Sequence, residues 1–492
     1  MTFPEKRRLP RSPRAIRVVI FFAFCGLTLG LTWAQTFTVL HSFNRTDGAQ
    51  PYAALVQGLD GSFYGTTSGG GTQNGHGTIF KITASGAFTN LFNFNGQGDG
   101  GQPDAGLTLV PDGSLYGVTN VGGLPDRAGT IFKFSDNALT TLHSFDRSIA
   151  SLPFGGLLLS ADGNLYGTTS GEGGDTQETA GTVDRITRDG AFTIVHHFVY
   201  GSNDGWDPHA QLVQNRDGAL YGTTTISLDN PGTIFRINQA GDVTTLYRFC
   251  SSGDTCPDGG FPDGGLAQGA DGAFYGATKI GGDPLCGLTS GCGTLFKLDR
   301  SGLTTLHVFE NSDGAAPETA LYQATDGNFY GTAFQGGNLE AEECFGVGCG
   351  TIFSLSPSGS FTLLYSFCAT TGCPDGRAPF GPLTQGTDGN LYGTAAFSGT
   401  SDVGVIYKLS LGLPPFIKLL PASGVTGKSI RILGNNLLGT TGVTFNGVPA
   451  EFTVNTNSFI TAKVPAGATS GTVQVTTPNG VLSSNIAFHV SR

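Results

Sequence analysis

Four short apolar segments alternate with Gly-, Asp- and Pro-rich links along most of the 492-residue chain. We label them A, B, C and D, after ALVQG, FYGTT, GTIFKI and FTNLFNF in the first copy. Segments of this length, rich in aromatic and β-branched residues and bounded by turn residues, are typical of β-strands. No apolar pattern with the period of a helix recurs over a useful length. The pattern therefore predicts an all-β chain.

A phrase of the form Asp-Gly-x-(Leu/Phe)-Tyr-Gly separates segments A and B and marks a tandem repeat with a spacing of 50 to 62 residues. A period of this size, with four strands in each unit, indicates the blades of a β-propeller. Asp-Gly between two strands indicates a tight hairpin, and the aromatic residues that follow can fill the space between blades. Because the phrase is nearly the same in every unit, we interpret it as packing rather than chemistry. The seven copies begin at Asp60, Asp112, Asp162, Asp217, Asp271, Asp326 and Asp388.

The two ends of the repeat region complement each other. A D-type segment, TFTVLHSF, precedes the first repeat at 36–43, and the seventh repeat ends after its C segment at Leu409. If the spare strand fills the gap, the ring has no free edge. We therefore predict a seven-bladed β-propeller closed by the N-terminal strand and followed by an immunoglobulin-like β-sandwich. The long B–C and D–A connections share one face of the disc, and this loop face is the candidate functional face.

The first 34 residues have a different composition from the rest. Six basic residues precede an apolar run from Val18 to Ala34, which predicts a secretory signal peptide cleaved after Ala34. An uncleaved membrane anchor is the alternative, since the run is near the shortest length that spans a bilayer. After cleavage, 20 basic and 36 acidic residues remain, a net charge of −16. This charge argues against nucleic acid and anionic membrane surfaces as partners, and we expect no stable membrane insertion after signal cleavage.

Eight cysteines follow the signal segment, in four pairs that are close in sequence. An even number of cysteines in an exported chain indicates disulfides, and we expect nearest neighbours to pair. Zinc is the alternative, but the spacing is unusual for zinc ligands and no histidines accompany the pairs. The expected pairs are Cys250 with Cys256, Cys286 with Cys292, Cys344 with Cys349, and Cys368 with Cys373.

The repeats resemble the GloVer tandem repeats of exported bacterial choice-of-anchor proteins, through the DGxLYGTT, GTIFKI and DGxxP phrases over residues 36–410. The resemblance implies a secreted or cell-surface protein without an assigned chemistry. Residues 413–492 carry no repeat phrase and resemble an IPT/TIG domain, through segments such as Gly434-Asn435-Asn436 and Thr477-Pro478-Asn479-Gly480. That family implies an immunoglobulin-like spacer or interaction module. The expected domains are a signal peptide (1–34), the propeller (35–412) and the IPT/TIG domain (413–492).

The search for chemistry finds no nucleophile elbow, zinc-protease motif, P-loop or EF-hand loop. We therefore expect a protein that is not an enzyme and has no cofactor and no metal site. The acid of DGxxP recurs in six of the seven repeats, where it either contributes to a site for calcium or a polyhydroxy ligand or forms an Asx turn. The third repeat has Ile149 in its place.

Loop residues that do not recur are better candidates for binding. The leading interpretation is an exported binding or structural protein whose loop face recognises an unknown protein or glycan. The alternatives are a polysaccharide-acting hydrolase or lyase with loop carboxylates at the channel mouth, and a purely architectural envelope protein. The candidate binding residues are Trp206, Asp207 and His209; Glu172, Asp175 and Glu178; and Glu340, Glu342 and Glu343.

Overall fold

Strands make up nearly all of the regular structure in the computed structural model, which describes residues 35–146, 150–172, 180–215, 217–227, 231–251, 256–288 and 290–491. One 3-10 helix, Glu342–Cys344, occurs in this part of the chain. Up to residue 410 the strands are β1 (Thr36–Ser42), β2 (Val56–Gln57), β3 (Phe63–Thr67), β4 (Thr78–Ile82), β5 (Phe88–Asn93), β6 (Thr108–Leu109), β7 (Leu115–Thr119), β8 (Thr130–Ser135), β9 (Ala138–Ser144), β10 (Leu158–Leu159), β11 (Leu165–Glu172), β12 (Ala180–Ile186), β13 (Phe192–His197), β14 (Val213–Gln214), β15 (Leu220–Thr224), β16 (Thr233–Ile237), β17 (Val243–Arg248), β18 (Leu266–Gln268), β19 (Phe274–Thr278), β20 (Thr294–Asp299), β21 (Gly302–Val308), β22 (Tyr322–Gln323), β23 (Phe329–Ala333), β24 (Thr351–Leu355), β25 (Phe361–Ser366), β26 (Thr384–Gln385), β27 (Leu391–Ala395) and β28 (Val405–Ser410).

Each repeat forms a four-stranded antiparallel sheet in the order A-B-C-D, as β2-β3-β4-β5 does in the first repeat. Six sheets are continuous in sequence. The seventh has the order β26-β27-β28-β1, because β1 pairs antiparallel with β28 from Thr36 opposite Ser410 to Ser42 opposite Val405. The predicted all-β architecture of propeller-like, four-stranded repeats is thus confirmed.

The repeated phrase forms the turn between the A and B strands and a hydrogen-bonded latch across it. In the first repeat, Asp60 Oδ1 accepts a hydrogen bond from the Ser62 amide, which fixes the turn. Its Oδ2 accepts a hydrogen bond from the Tyr64 hydroxyl at 3.1 Å. The equivalent aspartate–tyrosine bond recurs at 2.6–2.9 Å in repeats 3, 5, 6 and 7. The phrase therefore stabilises the hairpin between the A and B strands in repeats 1, 3, 5, 6 and 7.

The glycine after the latch tyrosine lets the tip of the C-strand aromatic ring approach the B strand closely. A Cβ atom on Gly65 would lie 2.5 Å from Phe80 Cζ, so a larger residue does not fit there. Gly117, Gly222, Gly276, Gly331 and Gly393 are equally close to the rings of their own repeats. The third repeat differs because Asp184 takes the place of the ring.

Neighbouring sheets are joined by the glutamine that ends the A strand in five of the seven repeats. Gln323 Oε1 accepts the amide of Ala270 in the preceding repeat, and Gln385 does the same with Thr325. Gln57 of the first repeat accepts the amide of Thr387 in the seventh repeat at 3.0 Å. The first and last repeats thus share the contact that joins repeats in the middle of the chain.

Ring stacking between D strands supplies a second contact of this kind. His41 of β1 stacks on Phe88 of β5 at 3.9 Å, and His307 of β21 stacks on Phe361 of β25 at 3.7 Å. Tyr365 of β25 stacks on Phe37 of β1 at 4.1 Å. In this contact β1 therefore occupies the position of the seventh D strand.

The remaining strands form two four-stranded sheets and one parallel pair. The orders are β29-β31-β35-β34, β33-β32-β36-β37 and β30-β38, and both larger sheets contribute to one buried apolar cluster that includes Ile432, Ile460, Phe445 and Val475. These strands are β29 (Lys418–Leu420), β30 (Ser423–Val425), β31 (Ser429–Leu433), β32 (Gly442–Phe445), β33 (Val448–Pro449), β34 (Phe452–Val454), β35 (Phe459–Lys463), β36 (Val473–Thr477), β37 (Gly480–Ser483) and β38 (His489–Ser491).

The C-terminal sheets pack on the A–B turns of the repeats, opposite the long loops. The Phe416 amide donates to the Thr387 carbonyl, and the Ser458 hydroxyl donates to the Leu59 carbonyl at 2.6 Å. Lys418 is buried and donates to the Gln385 carbonyl, and burial lowers its pKa to about 8. Residues 35–492 form one compact unit.

Four disulfides join the nearest-neighbour cysteine pairs, Cys250–Cys256, Cys286–Cys292, Cys344–Cys349 and Cys368–Cys373. All four lie in the long B–C and D–A connections. Disulfides are typical of extracellular proteins, which agrees with the predicted export. No helix in the described part of the chain is long and apolar enough to span a membrane.

Candidate functional site

A cavity of about 770 Å³ lies where the A strands of all seven repeats converge. Each repeat contributes the residue that follows the proline of DGxxP, together with the small or apolar residues after it. In the seven repeats this position holds five residue types, which are aromatic, acidic or imidazole side chains. In repeat order the residues are Tyr52, Asp104, Phe154, His209, Asp263, Glu318 and Phe380.

The mouth of the cavity lies on the loop face. Lys279, Phe334 and Phe397 line it and follow directly or closely on the B strands β19, β23 and β27, where the long B–C connections begin. Toward the opposite face, Tyr322 lines the cavity, and the ammonium group of Lys418 lies 6.0 Å from its ring. The C-terminal sheets thus approach the cavity from the A–B turn side.

One wall of the cavity is ionic. Lys279 Nζ lies 2.9 Å from a Glu318 carboxylate oxygen and 3.8 Å from an Asp263 oxygen. Burial raises the pKa of Asp263 to about 6, although Lys279 and His209 partly offset that effect. Burial alone would lower the pKa of Lys279, but the charge of Glu318 raises it above the ordinary value. Two carboxylates therefore share one cation at the mouth.

His209 continues this wall and is held by its own repeat. Its Nε2 lies 3.0 Å from Asp207 Oδ1, and Asp207 Oδ2 accepts a hydrogen bond from Thr225 at 2.8 Å. Burial favours the neutral imidazole, but the bond and charge of Asp207 outweigh it, so the pKa of His209 is raised. His209 is therefore a candidate cation in the site.

The other wall is aromatic. The Tyr52 ring meets the Phe380 ring edge-on at 5.2 Å and the Phe397 ring at 6.2 Å. Phe334 also contacts Phe380 at 5.4 Å. This wall offers flat apolar surface opposite charged groups, an arrangement suited to ligands with both an apolar face and polar edges.

Asp104 stands in the ring between Tyr52 and Phe154. Its Oδ2 accepts a hydrogen bond from Asn120 at 2.6 Å, and its buried Oδ1 has no hydrogen-bond partner of standard geometry. Burial raises the pKa of Asp104, and nearby Ser68 and Asn120 partly offset the shift. Burial and the charge of Asp104 together raise the pKa of Tyr52.

The residues predicted from non-repeated loops do not form one cluster. His209 lines the cavity and Asp207 orients it, whereas Trp206 is 8% exposed and packs in the core beside Tyr200. Glu340, Glu342 and Glu343 lie at the 3-10 helix in the sixth repeat, and Glu343 accepts the Gly372 amide. The Glu172 side chain, Asp175 and Glu178 lie outside the described residues. A binding role for all of these residues stays a prediction.

The acids of DGxxP hold the D–A turn to the preceding D strand. Asp47 pairs with His41 at 3.1 Å, and Asp313 pairs with His307 at 3.0 Å. Tyr247 and Tyr365 donate to Asp258 and Asp375, each at 2.8 Å. These hydrogen bonds favour the structural interpretation of the motif.

Cysteine provides the one convergent group of possible metal-binding side chains among the described residues. Cys344, Cys349, Cys368 and Cys373 have sulfur atoms within 4.8 Å of one another, and in the structure they form two disulfides. The acids and the histidine of the cavity do not converge in this way.

Most of the cavity wall was missed by the sequence analysis. Asp104, Asp263, Glu318, Lys279 and the aromatic residues were not singled out. A signal was available, because the residue after the DGxxP proline varies from acid to aromatic to imidazole within an otherwise fixed phrase. A variable position inside a constant repeat marks a place where packing does not dictate the side chain.

Solved structures with a similar fold include two oxidoreductases. A fungal alcohol oxidase of the AA5 family, in complex with copper, is 13% identical with a TM-score of 0.51, covering 93% of this chain and 99% of that one. A glucose dehydrogenase-type oxidoreductase from Thermus thermophilus is 17% identical with a TM-score of 0.38, covering 62% and 95%. The extracellular domain of a hybrid two-component system from Bacteroides thetaiotaomicron is 12% identical with a TM-score of 0.46, covering 92% and 54%.

These similarities correct one expectation. The prediction that the chain is not an enzyme is contradicted, because a fungal alcohol oxidase is among the proteins with a similar fold. At these identities the likeness concerns the fold alone and assigns no reaction or cofactor to this chain.

Sequence comparison identifies the family. No curated protein sequence matches the chain. The model of the Gloeobacter/Verrucomicrobia repeat matches residues 25–225, 173–372 and 286–451, which together cover most of the chain. The predicted repeat family is thereby confirmed: this chain belongs to the Gloeobacter/Verrucomicrobia repeat family.

Proposed function

We propose that this protein is an exported binding protein that holds a carbohydrate in its central cavity. The observation that carries the proposal is the set of seven side chains, of five residue types, that occupy one repeat position and line the same cavity. Seven repeats with a constant frame need no such variety for packing. The aromatic wall can stack on the flat face of a sugar ring, while Asp263, Glu318 and His209 can bind its hydroxyl groups.

The same proposal includes a closed architecture. The Gln57–Thr387 contact and the Phe37–Tyr365 stack support a seven-bladed ring closed by β1. The two-sheet packing of the C-terminal strands supports an immunoglobulin-like sandwich of the IPT/TIG type. We assign residues 1–34 to a signal peptide, 35–412 to the propeller and 413–492 to the sandwich. The protein would then act outside the cell or on its surface.

A glycan array probed with purified residues 35–492 tests the binding proposal. Oligosaccharides that bind the wild type are expected to bind Tyr52→Ala/Phe380→Ala about tenfold more weakly, because the stacking wall is lost. Glu318→Gln tests the ionic wall in the same way. Phe345→Ala removes an 85% exposed aromatic ring from the loop face and is the matched control. Absence of binding to any oligosaccharide would count against the proposal and favour a protein partner or an architectural role.

Asp263 supports a second candidate function, that of a polysaccharide-acting hydrolase or lyase. A buried carboxyl with a pKa of about 6 beside Glu318 keeps the proton that a general acid needs up to about pH 6, well above the ordinary range of a carboxyl. We expect activity to fall as the pH rises above about 6, where Asp263 loses its proton. New reducing ends, or unsaturated ends for a lyase, would reveal the reaction on bound oligosaccharides, and Asp263→Asn should abolish it. If the oligosaccharides are still intact after long incubation, the hydrolase or lyase function is wrong and only the binding function remains.

A further inference from the structure

The charges that line the cavity do not balance. Asp263 and Glu318 share the single ammonium group of Lys279, and His209 is already paired with Asp207. Asp104 forms no ion pair with any Lys, Arg or His in the described part of the chain. A carboxyl group that is largely removed from water is normally either paired with a cation or protonated, and the described part of the protein supplies no cation for Asp104.

The surroundings of Asp104 are suited to a cation. In ring order its neighbours are Tyr52 and Phe154, and both belong to the cavity wall. Aromatic faces attract ammonium groups through their quadrupole, and a carboxylate adds charge and a hydrogen-bond acceptor. The hydrogen bond from Asn120 fixes one carboxylate oxygen, so the side chain is held in place before a ligand arrives.

We propose that the ligand of the cavity carries an ammonium group, which pairs with Asp104 between Tyr52 and Phe154. This inference rests on the proposed carbohydrate function and narrows it to sugars with a free amine, such as glucosamine oligomers. The amine would balance Asp104, while the sugar ring stacks on the wall formed by Tyr52 and Phe380. Neutral and N-acetylated sugars lack the group that Asp104 selects.

Calorimetric titration of residues 35–492 with four probes tests the inference. The probes are glucosamine tetrasaccharide, N-acetylglucosamine tetrasaccharide, cellotetraose and the sugar-free diamine cadaverine. We expect glucosamine tetrasaccharide to bind at least about tenfold more tightly than the two neutral oligosaccharides. Asp104→Asn should remove that preference by lowering the affinity for glucosamine tetrasaccharide to about that for cellotetraose. Asp126→Asn, which removes an exposed acid from the same repeat, should change neither.

The probes separate the failure of the inference from that of the proposed function. If a neutral oligosaccharide binds as tightly as the amino sugar, the ammonium site is wrong and the carbohydrate function stands. If cadaverine binds as tightly as glucosamine tetrasaccharide, amine recognition stands and the carbohydrate function is wrong. If no probe binds, the ammonium site is wrong, and the glycan array decides the carbohydrate function. The comparison of probes on the wild type decides the matter even if Asp104→Asn fails to fold.

Discussion

Asp184 occupies the position in the third repeat that an aromatic ring occupies in the other six. It is fully enclosed in the protein and accepts a hydrogen bond from Thr182 at 2.9 Å, while its Oδ1 atom has no partner. Burial raises the pKa of Asp184 to about 7. Because the aromatic ring is missing here, a Cβ on Gly167 would meet only Leu157, at 3.0 Å. Asp184 therefore leaves the third repeat without the aromatic ring that packs against the B strand in the other repeats. The aromatic residues at this position in the other six repeats are Phe80, Phe132, Phe235, Phe296, Phe353 and Tyr407.

Asp184 should make stability depend on pH. The folded protein keeps the proton up to about pH 7, whereas the unfolded chain loses it near pH 4. Stability from this group is therefore complete below pH 4 and is lost as the pH rises through 7. We expect the free energy of unfolding to fall by about 2 kcal/mol more between pH 5 and 8 in the wild type than in Asp184→Asn. Urea denaturation at both values measures the difference.

Two further variants make this test specific. Asp184→Phe restores the ring of the other repeats and should raise stability at pH 8 by more than at pH 5. Asp126→Asn removes an exposed acid and should leave the pH dependence unchanged. Equal pH dependence in the wild type and Asp184→Asn would show that Asp184 is not buried as described.

Individual residues show which features of the structure could be predicted from the sequence and which could not. The Asp60–Tyr64 latch and the Gly65 contact follow from a phrase that recurs unchanged, because identical packing in each repeat demands identical residues. The variable position after the DGxxP proline distinguishes Asp104 and Asp263 in the sequence, but only the convergence of distant A strands shows that they line one cavity. Their chemistry was visible, but their common location was not.

Strand lengths reveal a limit at the level of the element. The A segments read as full strands, yet β2, β6, β10, β14, β22 and β26 are each two residues long. The residues before them, such as Tyr52 to Leu55, line the cavity instead of continuing the pairing with the B strand. Hydrophobic pattern cannot distinguish an apolar residue that faces a neighbouring sheet from one that faces a central cavity.

The disulfides of the sixth repeat and the following D–A connection form one unit. Cys344 and Cys368 have sulfur atoms 3.8 Å apart although they belong to different disulfides. Replacing both cysteines of either disulfide with serine should lower the free energy of unfolding by about 2 kcal/mol, because each disulfide closes a short loop. Removing both should show a coupling energy of about 0.5 kcal/mol or more, because the two loops pack on each other. Chemical denaturation of the single and double pairs measures the coupling.

The disulfide of the fifth-repeat B–C loop provides the comparison. Cys286→Ser/Cys292→Ser combined with Cys368→Ser/Cys373→Ser should be additive, because these sulfur atoms do not converge. Additivity in both combinations would mean that the contact between Cys344 and Cys368 contributes nothing to stability.

Closure of the proposed ring would affect the whole molecule. β1 completes the seventh sheet. If the seven sheets close into a ring, the A–B turns, the cavity and the loop face are held by a continuous circle of contacts without an exposed edge. The spare D segment allowed this pairing to be predicted, and the pairing of β1 with β28 is present. Tyr52 of the first repeat and Phe380 of the seventh form one wall of the cavity, so an open ring would also open the cavity.

Phe37 tests closure directly, because its stack with Tyr365 is the equivalent of the stack between Phe361 and His307 inside the chain. In a closed ring, Phe37→Ala and Phe361→Ala should each lower the free energy of unfolding by about 2–3 kcal/mol, since each removes a ring packed between D strands. Thr38→Ala, at an exposed position of β1, is the control and should have little effect. Hydrogen exchange adds a second measurement, and the β1 amides should be as protected as those of β25. If Phe37→Ala barely changes the free energy of unfolding and the β1 amides exchange rapidly, the ring is open. The contact between β1 and β25 would then contribute none of the stability that the equivalent contacts inside the chain contribute.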